Sequence, residues 1–98
     1  MPYLYLKAEI FPDLTKRTEA EAAYRELIEA SLAEPGCHLY DLVINEDDPS
    51  AWYMFEKWES REVWENGHMK SAHVAKIQQV EAGLTVKPTI LNFYVPAI

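Results

Sequence analysis

The clearest alternation in the chain lies near its start. Over residues 3–11, Leu4, Leu6, Ala8 and Ile10 share one side, while Tyr3, Tyr5, Lys7 and Glu9 share the other. A period of two is that of a strand with one buried face, and Pro12 is expected to end it. Thr18 followed by Glu21 reads as a capping box. Beyond it, Ala20, Tyr24, Leu27, Ile28 and Leu32 fall on one helical stripe, with Glu19, Arg25, Glu26 and Glu29 opposite. Pro35-Gly36 stops this helix. Cys37–Asn45 (CHLYDLVIN) reads as a second strand, and residues 52–58 as a third. Between them, residues 46–50 (EDDPS) read as a turn, because Pro49 has no N–H for a ladder and the carboxylates prefer water.

The next region is helical but broken. Ser60 is a good N-cap for a helix running to Asn66, with Gly67 as its stop. Ser71 can cap a second piece reaching about Ala82 and closed by Gly83, with His73, Ile77, Val80 and Leu84 as its apolar stripe. Pro88 precedes a last strand over residues 89–95. The order is β-α-β-β-α-β, an α+β ferredoxin-like arrangement with a broken second helix and an antiparallel sheet, in one domain spanning 1–98. The third strand carries Tyr53 and Phe55 on one face and Trp52, Met54 and Trp58 on the other. Helices can cover only one of these faces. The other invites a second copy, so the pattern predicts a homodimer through the sheet face.

Composition agrees. Of 98 residues, 49% are hydrophobic and 12% aromatic, more apolar material than one small core hides comfortably. The formal charge of −7 repels phosphate backbones and anionic lipid, which argues against nucleic-acid and membrane partners. The one cysteine, Cys37, excludes an internal disulfide framework. The first residues lack a basic segment and a small-residue cleavage site, and no apolar run approaches the ~18 residues that span a bilayer. An intracellular, cytoplasmic setting is the expectation.

Candidate chemistry concentrates in residues 56–73, EKWESREVWENGHMKSAH. On a continuous helix His68 and His73 diverge by about 140°, and no other ligand accompanies them, so no metal is expected. The acidic turn at Glu46, Asp47 and Asp48 lacks calcium-loop spacing. Cys37 at a strand start is better explained as a small buried residue than as a nucleophile. His73 lies in the first turn of a helix, where the helix dipole and burial both disfavour the imidazolium. It is either a core imidazole satisfied by a backbone carbonyl or a neutral proton acceptor facing an apolar space. His68 is either an exposed linker residue or a lining of the helix break. Trp52, Trp58 and Trp64 are either core or flat walls for a planar ligand.

GCHLYDL, FEKWES and the spaced pair His68 and His73 resemble the antibiotic biosynthesis monooxygenase family, above all its small quinol monooxygenase-like members. The resemblance covers nearly the whole chain. It implies a homodimeric α/β barrel of facing sheets, with a pocket between sheet and helices in each subunit. It further implies oxygenation of phenols, quinols or anthrones without metal, flavin or haem, and hence no cofactor. Haem-degrading members carry an asparagine where this chain has Ile10, a tryptophan near Gly67 and His68, and a histidine where Gln78 stands, so that branch is disfavoured.

These readings together predict a cofactor-independent monooxygenase acting on a quinol- or phenol-like aromatic and O2. His73 is assigned as base or hydrogen-bond partner, and His68 as a second polar group of the site. Trp58 and Trp64 are its walls, and Tyr40 a phenolic donor. The alternatives are isomerisation of a small oxo or sugar-phosphate compound, and a non-catalytic dimeric protein that binds an aromatic.

Overall fold

A computed structural model describes residues 2–98. Strand β1 (Leu4–Pro12) is followed by helix α1 (Arg17–Leu32) and the hairpin β2 (Cys37–Asn45) and β3 (Asp48–Trp58). Helix α2 (Arg61–Asn66), a 3-10 turn at His68–Lys70 and helix α3 (Ala72–Val80) make the broken helix, and β4 (Thr85–Tyr94) closes the order. The strands form one antiparallel sheet in the order β2-β3-β1-β4. The chain is α+β and ferredoxin-like, as the alternation and capping signals imply.

The alternation of β1 is realised in full, with Leu4, Leu6, Ala8 and Ile10 buried. Across from them β3 turns Trp52, Met54, Glu56 and Trp58 inward. Helix α1 buries Ala20, Tyr24, Leu27 and Ser31, a row that continues through Ser31 and leaves Leu32 half exposed, contrary to the stripe read from sequence. The capping box is also displaced. The carboxylate of Asp13 caps a 3-10 turn ahead of the helix by accepting from the Thr15 backbone N–H, and α1 already begins at Arg17. By contrast, Ser60 accepts from the Val63 N–H at 3.1 Å and Ser71 from the Val74 N–H at 3.3 Å, so both inner caps stand where the sequence puts them.

Three proline signals shift. Pro12 is the last residue of β1 and pairs with Thr85. Pro49 falls inside β3, in a stretch between the registers Ile44↔Trp52 and Asn45↔Asp48 where the ladder is interrupted, so its missing N–H costs nothing. Pro88 sits in β4, which starts at Thr85. Between Glu9↔Ile90 and Phe11↔Lys87 the edge strand holds one residue more than β1, and this bulge accommodates the proline. The stripe of α3 is rotated by one position: Val74 and Ile77 are buried and Val80 is exposed. Gly36, with φ of +84°, makes the turn after α1, and a Cβ there would stand 2.8 Å from Val63 Cγ1.

The two faces of the sheet differ sharply. Helices cover the inner face over β1 and β3, while Leu91 and Phe93 of the edge strand β4 stay exposed on it. On the outer face Tyr53 and Phe55 stack with centroids 6.2 Å apart, and Lys57 lies 4.2 Å over the Tyr3 ring.

Candidate active site

A cavity of about 180 Å³ lies between the inner face and the helices. Leu6, Ala8, Ile10 and Met54 form its floor, and Leu27, Val74, Ile77, Trp64 and Met69 line it from the helical side. Tyr40, Glu56 and His68 bring polar groups to it. Tyr40 and Glu56 are paired neighbours on β2 and β3, and Leu6 pairs with Glu56 on the other side, so they share one row of the sheet. Four residues along β1, Ile10 lies beside a second polar group made by Tyr24, Gln78, Glu81 and Thr89, which also line the cavity. Thr89 donates to the Glu81 carboxylate at 2.6 Å, while the buried Tyr24 hydroxyl has no hydrogen-bond partner among the described residues.

His68 occupies its place because the helix breaks. Gly67 ends α2, the next three residues form a 3-10 turn, and Ser71 is extended (φ −78°, ψ 155°) before α3 begins. The His68 ring is buried against the face of Trp58, at 4.6 Å between centroids. Its Nε2 lies 3.3 Å from the Tyr40 hydroxyl, and its Nδ1 lies 2.7 Å from Oε2 of Glu34. The same oxygen stands 2.8 Å from Nε2 of His73. Here the sequence reading is overturned. The two histidines converge on one carboxylate, because the interrupted axis voids the 140° divergence of a continuous helix.

The electrostatics follow from burial. It holds the His68 imidazole below its ordinary pKa despite the hydrogen bond to Glu34, so the ring is neutral at pH 7. Burial, with Glu56 nearby, raises the Tyr40 phenol well above the usual range, so it remains a donor. Burial also pushes the Glu56 carboxyl up to about 7, against the Trp58 indole N–H that donates to Oε1 at 2.9 Å. Cys37 is pushed up to about 11 by burial first and by Glu34 next, which makes its thiol a poor nucleophile.

Of the residues singled out from sequence, His68, Tyr40 and Trp64 meet at the cavity. Trp58 does not line it; fully buried, it backs the His68 ring and holds Glu56. His73 does not reach it either, but faces α1 beside Ala23, Glu26 and Leu27 with its imidazole on Glu34. The inward stripe of α3 runs through Val74 instead. Sequence reasoning missed Glu56 and Glu34. Glu56 was discoverable, since it is a charged residue at buried parity between Met54 and Trp58. Glu34 carried no periodic signal, because its role arises only when three separate segments meet.

Glu34, His68 and His73 together offer three potential metal donor atoms within 4.8 Å of one another. Ligands at ~2.0–2.1 Å from one tetrahedral ion stand about 3.3 Å apart. The carboxylate oxygen lies nearer than that to both nitrogens, at hydrogen-bond distance. The trio fits a carboxylate accepting two imidazole N–H groups, and a cation would have to spread it.

The profile of the family described as antibiotic biosynthesis monooxygenase matches residues 4–80. Among curated proteins no relative matches. Among solved structures, a conserved protein from Methanosarcina mazei Go1 is similar with a TM-score of 0.90 at 26% identity, over 96% of this chain and 92% of that one. A Mycobacterium tuberculosis protein gives 0.89 at 24% identity, over 98% and 96%. A structure described as an antibiotic biosynthesis monooxygenase gives 0.86 at 23% identity, over 97% and 98%. At such identities the last two likenesses speak for the fold alone.

Proposed function

Because this chain belongs to the antibiotic biosynthesis monooxygenase family, we propose that it oxygenates a small quinol- or phenol-like aromatic with O2. The observation that carries this reading is the cavity, apolar along its walls and furnished beside Tyr40 with two proton acceptors, His68 and Glu56. A space of ~150 Å³ admits benzene, so 180 Å³ suits one substituted ring better than a polycycle. Trp64 offers a flat wall. The substrate hydroxyl displaces the Tyr40 O–H that rests on the neutral His68 Nε2 and gives its proton to that nitrogen, with Glu56 as a second acceptor. The resulting electron-rich phenolate reduces dioxygen itself: one oxygen atom replaces two hydrogens of the substrate, and these leave as water with the second oxygen atom. Helices α2 and α3 shield the reacting ring from water on one side. His73, assigned as base from sequence, serves outside the cavity through Glu34. The outer sheet face, bearing Tyr53 and Phe55, supports assembly as a sheet-to-sheet homodimer.

The test is oxygen uptake with hydroquinones, simple phenols and anthrones, run with a chelator present. Uptake is expected with single-ring quinols, at least about a hundredfold lower in His68→Ala and less affected in His73→Ala. Saturable binding without uptake would instead identify an aromatic-binding protein. Conversion of an oxo or sugar-phosphate compound without uptake would identify an isomerase.

A further inference from the structure

The hydrogen-bond polarity of the cavity is set from outside it. Glu34 stands in the segment after α1, beyond the cavity lining, and its carboxylate oxygen lies 2.7 Å from His68 Nδ1. An ionised carboxylate only accepts, so this contact places the proton of neutral His68 on Nδ1. Nε2 is left as a bare lone pair, and the Tyr40 O–H donates to it at 3.3 Å. Glu56 adds a second acceptor, because Oε1 is occupied by the Trp58 N–H and no group among the described residues donates to Oε2. The donor in contact with His68 Nε2, the Tyr40 hydroxyl, is already engaged. A ligand atom arriving here therefore meets acceptors.

We propose that Glu34 is a positioning residue that fixes the Nδ1–H tautomer of His68, so that the cavity selects aromatics presenting a hydroxyl donor and rejects the matching ether or carbonyl. His73 steadies the same oxygen from the far side at 2.8 Å, but it is not needed for the tautomer. The inference rests on the cavity being the ligand site and makes no use of the oxygen chemistry. An acceptor-only ligand would either face the open Glu56 Oε2 with another lone pair or take the Tyr40 O–H away from Nε2; each leaves a buried acceptor without a donor, which costs more than a missing bond.

Two measurements at pH 8 test it; there Glu56, near 7, is ionised and a simple phenol, near ~10, keeps its proton. Long-range 1H–15N spectra of the imidazoles are expected to show His68 protonated on Nδ1 and bare on Nε2. The Glu34→Ala protein should move to the Nε2–H form. Glu34→Gln, whose amide oxygen still accepts, and His73→Ala should both keep the original form. Phenol and anisole, titrated by calorimetry, should differ at least about tenfold in Kd in the native protein. That ratio should fall below about threefold in Glu34→Ala and persist in Glu34→Gln.

An Nε2–H tautomer in the native protein, or an unchanged one in Glu34→Ala, overturns the positioning role. Equal affinity for the two probes, or saturation by neither, overturns the ligand assignment whatever the tautomer. Stoichiometric zinc that shifts both imidazoles would replace the hydrogen-bonded trio by a metal centre. Absence of oxygen uptake, by contrast, defeats the proposed reaction and leaves all these readouts intact.

Discussion

Glu56 is the residue at which folding and chemistry pull in different directions. Its carboxyl is buried beside Tyr40, and its folded pKa is about 7 against an ordinary 4.5. The folded state thus binds the proton more tightly than the unfolded chain. Stability is highest below the unfolded value and falls as pH rises from about 4.5 through 7. Glu56→Gln keeps an oxygen for the Trp58 N–H but cannot ionise. Urea unfolding of the two proteins should therefore show the variant gaining on the native protein between about pH 5 and pH 8, by an amount on the order of 2–3 kcal/mol. Parallel curves would refute the burial argument. The parity of β3 made this residue legible in the sequence, since a glutamate between Met54 and Trp58 breaks an otherwise apolar face. The pairing of Glu34 with both histidines was not legible, because nothing local in EPGC states what lies across from it.

At the scale of elements, punctuation proved more reliable than periodicity. Ser60, Gly67 and Ser71 fix the breaks of the second helix through short-range hydrogen bonds that depend on few neighbours. The stripes of α1 and α3 depend on what packs against them, and each came out one position away, at Ser31 rather than Leu32 and at Val74 rather than His73. Prolines misled for the same reason, since a bulge or an interrupted ladder tolerates a residue that a regular central strand would refuse. Ser71 both accepts from Val74 and donates to the His68 carbonyl at 2.6 Å, so it ties the 3-10 turn to α3. Ser71→Ala is expected to destabilise by about 1–2 kcal/mol, and Ser60→Ala by about 1 kcal/mol. In hydrogen exchange, Ser71→Ala should loosen residues 68–75 and leave β1 protected. Equal loosening throughout would show that the break is not an independent unit.

At the scale of the whole molecule, the sheet has one face covered by its own helices except along β4 and one left to something else. Tyr53, Phe55 and Tyr5 crowd that outer face, while Lys7 and Lys57 lay their stems and charges over the aromatic rings. Phe55→Asp places a charge amid this patch without touching the core. If the outer face joins two copies, sedimentation at micromolar concentration should change from dimer to monomer while far-ultraviolet circular dichroism is preserved. A native protein that already sediments as a monomer would remove the barrel from consideration. The apolar pattern on both faces of β3 made this surface readable in the amino-acid sequence. A pocket between sheet and helices was implied by the family resemblance, but its volume and lining were not readable, because they depend on how α2 and α3 sit relative to each other.

The separation of those two faces has a consequence for how such a pair of subunits would behave. Partners joined through the outer face would hold their cavities back to back, each under its own helices and screened from the other by two layers of strands. No side chain that touches one cavity would also touch the seam except through the backbone of the sheet itself. Occupying one site would then carry no message to the other, and the two copies would work as independent vessels sharing a wall.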